Sequence, residues 1–196
     1  MYAIDYSAAA IRSRLIGRKL DVRKIKIGSQ AYLRGLSSVD IGEDFSAEAG
    51  FWLEAVTRNN DQIFLPKIVI GKHVRVSQFV HIAATHLVEI GDNVLIGSKV
   101  IITDHNHGHY SREHTSPHVP PRLRPLDADR RVIIGQNVWL GDGVVVTPGS
   151  TIGEGSVIGA NSVVLGAIPA YTIAAGIPAT PRKTFNFTTQ RWDNIE

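Results

Sequence analysis

Cysteine is absent from this chain of 196 residues, and methionine occurs once. Without a thiol there is no disulfide framework and no thiolate metal site. No cysteine can carry a covalent intermediate either. The absence fits a reducing compartment. No apolar run approaches the length that spans a bilayer. Residues 1–16 lack the charged-then-apolar order of a signal peptide. The expected location is therefore the cytoplasm. Net charge is only +3, and the length suits one domain with a small terminal appendage.

What is present is a beat of six. Ile134, Leu140, Val146, Ile152, Ile158 and Val164 follow one another at that interval without a slip. Gly135, Gly141, Gly153 and Gly159 come directly after four of them. Val138, Val144, Ser150, Ser156 and Ser162 stand two places before the next aliphatic. An α-helix has no such period, and an isolated strand alternates every two residues. A fixed hexapeptide repeat predicts a parallel β-helix, each repeat a short strand and a bend. The beat is also heard at Ile70, Val76 and Ile82, and again at Ile90, Ile96 and Ile102. Each repeat head should point inward and stack on its equivalent in the next coil, about 4.8 Å away. Small residues should let the bends turn tightly.

Residues 104–131 have no beat. They hold five of the eight histidines and four of the nine prolines. So long an interruption of a compact domain points to a functional or a disordered loop, and solenoids carry such insertions on one face, often the binding face. At the other end, Arg12, Arg14, Arg18, Lys19, Arg23, Lys24 and Lys26 are opposed only by Asp21. Residues 8–20 are predicted to form a helix, with Ser7 as N-cap and Ile11, Leu15 and Ile16 on one side. One reading is a solvated helix that covers the open end of the column. The other is a surface for anionic polysaccharide or lipid phosphates, which implies peripheral membrane association. No motif and no aromatic–basic interleaving supports nucleic acid.

Three segments together make the pattern specific: Ile-Thr-Asp-His-Asn-His-Gly from residue 102, Ile-Gly-Gln-Asn-Val-Trp-Leu-Gly from 134, and Ala-Ala-Gly-Ile-Pro-Ala from 174. Over residues 39–183 the chain resembles the left-handed β-helix hexapeptide acyltransferases. The likeness is to the maltose, galactoside and polysaccharide O-acetyltransferase branch, above all the O-acetyltransferases of bacterial O-antigen and capsule synthesis. The expected fold class is thus all-β, a left-handed parallel β-helix. Its parts are a basic N-terminal segment (1–26), the acyltransferase column (27–183) with its inserted loop, and a C-terminal tail (184–196).

The resemblance implies an acetyl-CoA-dependent O-acetyltransferase acting on a saccharide, free or lipid-linked, with no metal. It implies a homotrimer with its sites between subunits. A loop histidine would be the general base. His105 occupies that place, with His107 as the alternative. An imidazole titrating near neutrality suits a hydroxyl that must lose its proton as it attacks. Trp139 should point outward and pack on the pantetheine arm of acetyl-CoA. Gly141, Asp142 and Ala160 match the family's backbone contacts to that arm, and Arg182 and Lys183 its basic residues for the nucleotide phosphates. The segment 164–169 lacks the lysine that some relatives carry there. Ser77, Gln78, His81 and Asn106 are the acceptor-side candidates. Residues 51–64, with Trp52, Glu54 and Arg58, depart from the repeat and either join that cleft or form a frayed early coil.

Two other classes compete. A γ-class carbonic anhydrase would need three converging histidines. His81 and His86, or His109 and His114, have the pair spacing, but residues 45–56 contain no histidine. A non-catalytic scaffold would be expected to have lost the loop histidine or the tryptophan.

Overall fold

The structure, a computed structural model, describes residues 3–110 and 115–195. Its column is a left-handed parallel β-helix with three sheets of nine, six and six strands. Each coil runs through them in turn. The first face holds Leu95–Ile96 and Trp139–Leu140, the second Ile101–Thr103 and Val145–Val146, the third Leu87–Ile90 and Arg131–Ile134. The hexapeptide heads stack in register, Ile134 on Ile152 and Leu140 on Ile158. All six heads of the unbroken run are at most 2% exposed. Burying each such side chain contributes roughly 1.5–3 kcal/mol, coil upon coil.

The glycines after the heads act differently from expectation. At Gly135 and Gly141 the backbone is not left-handed. A Cβ there would instead lie 2.6 Å from the backbone nitrogen of Glu154 and 2.7 Å from that of Ala160. Close approach of the next coil is what requires glycine. The left-handed residues fall two places later, at Asn137 (φ 58°), Gly143 (φ 70°) and Asn161 (φ 57°).

The corner serines have a reason as well. In the lower coils the corners are filled by Val74, Val80, Val94, Val100, Val138 and Val144. Ser150, Ser156 and Ser162 are also buried, but they lie under the last coil, which leaves the regular ladder. Their hydroxyls bond to it: Ser150 donates to the Val164 carbonyl (3.0 Å), Ser156 to that of Pro169 (2.8 Å), and Ser162 accepts from the Gly176 N–H (3.0 Å).

Both ends differ from the sequence reading. The helix spans Ala3–Leu20, so Ser7 lies inside it and is not its cap. It docks on the first coil through Arg12, which donates to the Gly28 carbonyl (2.6 Å), and through Ser13, which accepts from the Ile27 N–H (2.9 Å). Ile16 packs against the core, whereas Ile11 and Leu15 are 62% and 60% exposed. At the other end, Ala179–Asn186 folds back antiparallel on Thr172–Gly176, and Arg191–Asn194 pairs with it in turn. The residues expected as a tail thus extend the first face. Tyr171, Phe185, Phe187 and Trp192 form an aromatic cluster that fastens the turn.

Candidate functional site

The loop leaves the column from the second face. Ala83 pairs with Thr103 as the last rung, and the chain then departs. That departure removes the coil that would have satisfied the N–H groups at the corner below. Asp104 replaces it. Fully buried, its carboxylate accepts from the Thr85 N–H (2.9 Å), the Thr85 hydroxyl (3.0 Å) and the His86 N–H (2.8 Å). It also faces Nδ1 of His105 at 2.9 Å. Burial alone would push this carboxyl up. The bonds from His105, Thr85 and His86 outweigh it and hold the group below the ordinary carboxylate range. With Nδ1–H donating to the carboxylate, Nε2 of His105 is left as the acceptor. In the sequence its only signal is its place directly before His105, at the point where the ladder breaks.

The rest of the loop is anchored, not structureless. Asn106–His107 pairs antiparallel with Leu126–Asp127. Gln62 grips Leu126 at two points, donating to its carbonyl (3.1 Å) and accepting from its N–H (2.7 Å). Gln62 belongs to a short hairpin, Arg58–Asn59 with Gln62–Ile63. So part of the irregular segment 51–64 serves as a brace for the loop. Asn106 and His107 are both exposed. The carbonyl of His107 takes the Tyr110 hydroxyl at 2.6 Å, and Arg124 donates to that hydroxyl at 2.8 Å. His114, paired with His109 in the spacing argument, lies outside the described residues.

Below the loop exit, the second face carries a row of rings. Tyr32 and Trp52 have centroids 4.8 Å apart, as do Trp52 and His81. The Trp52 Nε1–H donates to Glu54 (3.1 Å), whose other oxygen takes Arg34 (2.8 Å). Two residues along, Glu54, Ala83 and Thr103 stand in register, so this platform leads to the rung from which His105 departs. Burial pushes the His81 imidazole down, Glu54 opposes that, and His105 adds to it. Ser77 and Gln78 are not part of this row. They occupy the corner between the first and second faces, where Gln78 stacks under Lys99.

Higher up, that same corner opens into a cleft. Trp139 is 51% exposed. With Gly141, Asp142, Val157, Gly159 and Ala160 it lines a cleft of about 260 Å³. The Asp142 carboxylate is already engaged, accepting the Ser98 N–H at 2.6 Å. Trp139, Val157, Ile173 and Lys183 lie in one register row across the first face. Strand spacing puts Lys183 about 14 Å from Trp139. Arg182 sits beside it on the same exposed strand. The arrangement is an apolar groove with cations at its far end.

His105 and the groove are thus on different edges of the second face in one chain, His105 where it meets the third and Trp139 where it meets the first. Among the described residues no group of three or more His, Asp or Glu could hold a metal ion. No described helix is long and apolar enough to cross a membrane.

Comparison with known proteins agrees with this architecture. Residues 131–166 match the family described as bacterial transferase hexapeptide (six repeats), and residues 87–103 the hexapeptide repeat of succinyl-transferase. The chain is 44% identical over 164 residues to the Escherichia coli (strain K12) protein named "Putative lipopolysaccharide biosynthesis O-acetyl transferase WbbJ", covering 83% of this chain and 80% of that one. A galactoside acetyltransferase solved in complex with coenzyme A is 26% identical, with a TM-score of 0.59 over 97% of this chain and 80% of that one. AntD, an N-acyltransferase from Bacillus cereus solved with dTDP and 3-hydroxybutyryl-CoA, shares the fold at 18% identity, with a TM-score of 0.71 over 91% and 90% of the two chains. The chain belongs to the hexapeptide-repeat acetyltransferase family.

Proposed function

We propose that this cytoplasmic enzyme transfers an acetyl group from acetyl-CoA to a hydroxyl of a saccharide during synthesis of a surface polysaccharide. The observation that carries the reading is the His105 imidazole, oriented by a buried carboxylate so that Nε2 is free to take a proton. The acceptor hydroxyl oxygen attacks the thioester carbonyl while its proton passes to Nε2 of His105. The C–S bond then breaks, and the departing thiolate recovers the proton from the imidazolium. Transfer is direct, because the chain has no cysteine to hold the acetyl group. The groove from Trp139 to Lys183 suits the donor: the aromatic packs on the pantetheine arm, and Arg182 and Lys183 meet the phosphates. The Tyr32–Trp52 platform suits the acceptor, whose pyranose C–H face lies on the rings while its hydroxyls meet Glu54 and Arg34. The kinship to the O-acetyl transferase of lipopolysaccharide synthesis supports this acceptor class.

Release of thiol from acetyl-CoA, screened against saccharide acceptors, tests the reading. Absence of any saccharide-dependent release would sink it. Two variants separate the substrates. Trp139→Ala is expected to raise the acetyl-CoA Michaelis constant about thirtyfold, the ~2 kcal/mol of an aromatic anchor. Trp52→Ala should leave that constant unchanged and raise the acceptor's by roughly two- to tenfold. The opposite pattern would exchange the two surfaces.

The separation of His105 from the groove argues for a trimer. Closed cyclic symmetry brings the loop of one column to the first face of the next. A complementation experiment checks this. Subunits of inactive His105→Ala and crippled Trp139→Ala chains, allowed to exchange, should regain a minor fraction of wild-type turnover. Exchange seen by mass spectrometry without recovery would place both residues' work within one chain.

A further inference from the structure

The outer side of the N-terminal helix is not the plain solvated surface of a cap. Ile11 and Leu15 lie one turn apart, the great part of each open to solvent. Arg14 and Arg18, exposed and also one turn apart, run beside them, with Lys19 next in line. Behind this row the helix and the segment leading to the first strand border an open cleft of about 630 Å³, where Val22 and Ile25 lie among Arg14, Arg18 and Lys24, with Asp21 the one carboxylate in the lining. Several bases of the segment are already occupied. Arg12 holds the Gly28 carbonyl, Lys26 pairs with Glu48 (2.9 Å), and Arg23 with Glu43 (3.6 Å). Arg14, Arg18, Lys19 and Lys24 have no acidic partner among the described residues.

We propose that this end of the column docks on an anionic lipid surface, with Ile11 and Leu15 entering the headgroup boundary and Arg14, Arg18 and Lys24 meeting lipid phosphates. Apolar side chains flanked by arginine and lysine on one helix face are what an interfacial helix presents. Charge decides between occupants. A second copy of the same surface would bring like charges together, whereas an anionic leaflet neutralises all four free cations. Position agrees with this. The helix covers the end of a column, so it does not obstruct the loop or the Trp139 groove. In the trimer proposed above, which this inference uses only for avidity, all three helices face the same way. A flat surface then engages three weak contacts at once. Such docking would bring the enzyme to saccharides carried on lipid.

Sedimentation of the whole protein with vesicles tests it. The protein should pellet with phosphatidylcholine–phosphatidylglycerol vesicles, not with phosphatidylcholine alone, and salt should weaken the effect. Arg14→Glu/Arg18→Glu should lower partitioning by about tenfold or more, and Ile11→Ser/Leu15→Ser by a similar factor. Unchanged melting temperature and gel-filtration volume show that these variants fold. Should either double variant fail to fold, Lys24→Glu serves in its place, with an expected loss of about fivefold. Inorganic phosphate should displace the protein no better than chloride of equal ionic strength. The proposal is overturned if the wild type stays in solution with phosphatidylglycerol vesicles, or if the folded variants bind as it does. Specific release by phosphate would overturn it in favour of a soluble phosphate ligand. A change of assembly size in Ile11→Ser/Leu15→Ser without any vesicle binding would assign the face to contact between copies.

Discussion

His105→Ala is expected to lower turnover by about two to four orders of magnitude, the usual worth of a positioned general base. The acetyl-CoA Michaelis constant should scarcely move, since the groove lies on another edge of the column. The fold should persist. Asp104 keeps its bonds from Thr85 and His86 when the imidazole is gone, so the loss of one charge-assisted bond costs roughly 1.5–3 kcal/mol. His107→Ala provides the contrast. Its side chain is exposed, and its backbone does the holding, through Leu126 and Tyr110. Steady-state kinetics on the two variants decide between them. Near-normal turnover in His105→Ala with collapse in His107→Ala would move the base two residues along the loop.

Asp104→Asn should be nearly as damaging, although this side chain touches no substrate. Asparagine has the same shape but only one acceptor oxygen. If that oxygen stays toward His105 and Thr85, the new NH2 group opposes the N–H of His86. If the amide flips, the NH2 faces Nδ1, and the ring proton moves to Nε2, where a base has no use for it. In the flipped state turnover should fall by about two to four orders, the scale of loss when a histidine is held in the wrong tautomer. A purely structural role would lower stability and leave kcat in the folded variant intact. A positioning role predicts that kcat falls while the acetyl-CoA Michaelis constant holds. Stability carries a second signature. The folded carboxyl binds its proton only below the ordinary carboxylate range, so between those two pH values the unfolded chain binds more protons and stability rises with pH. Melting temperatures should therefore show wild type well above the variant at neutral pH. The gap should narrow as pH falls through the folded carboxyl's own, lower value. A gap constant with pH would argue against this linkage.

The column was legible because one period governs its inward residues: a single spacing fixed the heads from Ile134 to Val164 and their stacking. The loop's boundaries were legible for the same reason, as the place where that spacing stops. Inside the loop nothing periodic operates. That Asp104 turns inward follows from two orphaned N–H groups eighteen or nineteen positions earlier in the chain, which only the folded coil reveals. Gln62 was invisible in the same way, since its partner Leu126 is distant in sequence. The terminal errors have another origin. Ile11 and Leu15 fit a helical stripe with Ile16, yet Ser13 and Gly17 are what the helix turns toward the column, because close packing there needs small side chains. Beyond residue 183 the antiparallel return depends on aromatic contacts between Tyr171 and the last strands, which no repeat announces. The outward place of Trp139 could be read from the repeat.

The buried serines give this solenoid something most repeats lack, a length written into the chain one turn before it is reached. A coil spliced in lower down, between corners filled by valine, would meet only more of the same hydrocarbon. The same coil spliced in above Ser150, Ser156 and Ser162 would strip three hydroxyls of the irregular backbone they bond to, at about 1–3 kcal/mol for each buried orphan. Tandem duplication can therefore lengthen the column among the valine corners below Ser150 at less cost than at its upper end. The distance from Trp139 to the cations at the top stays fixed, however many coils are added beneath.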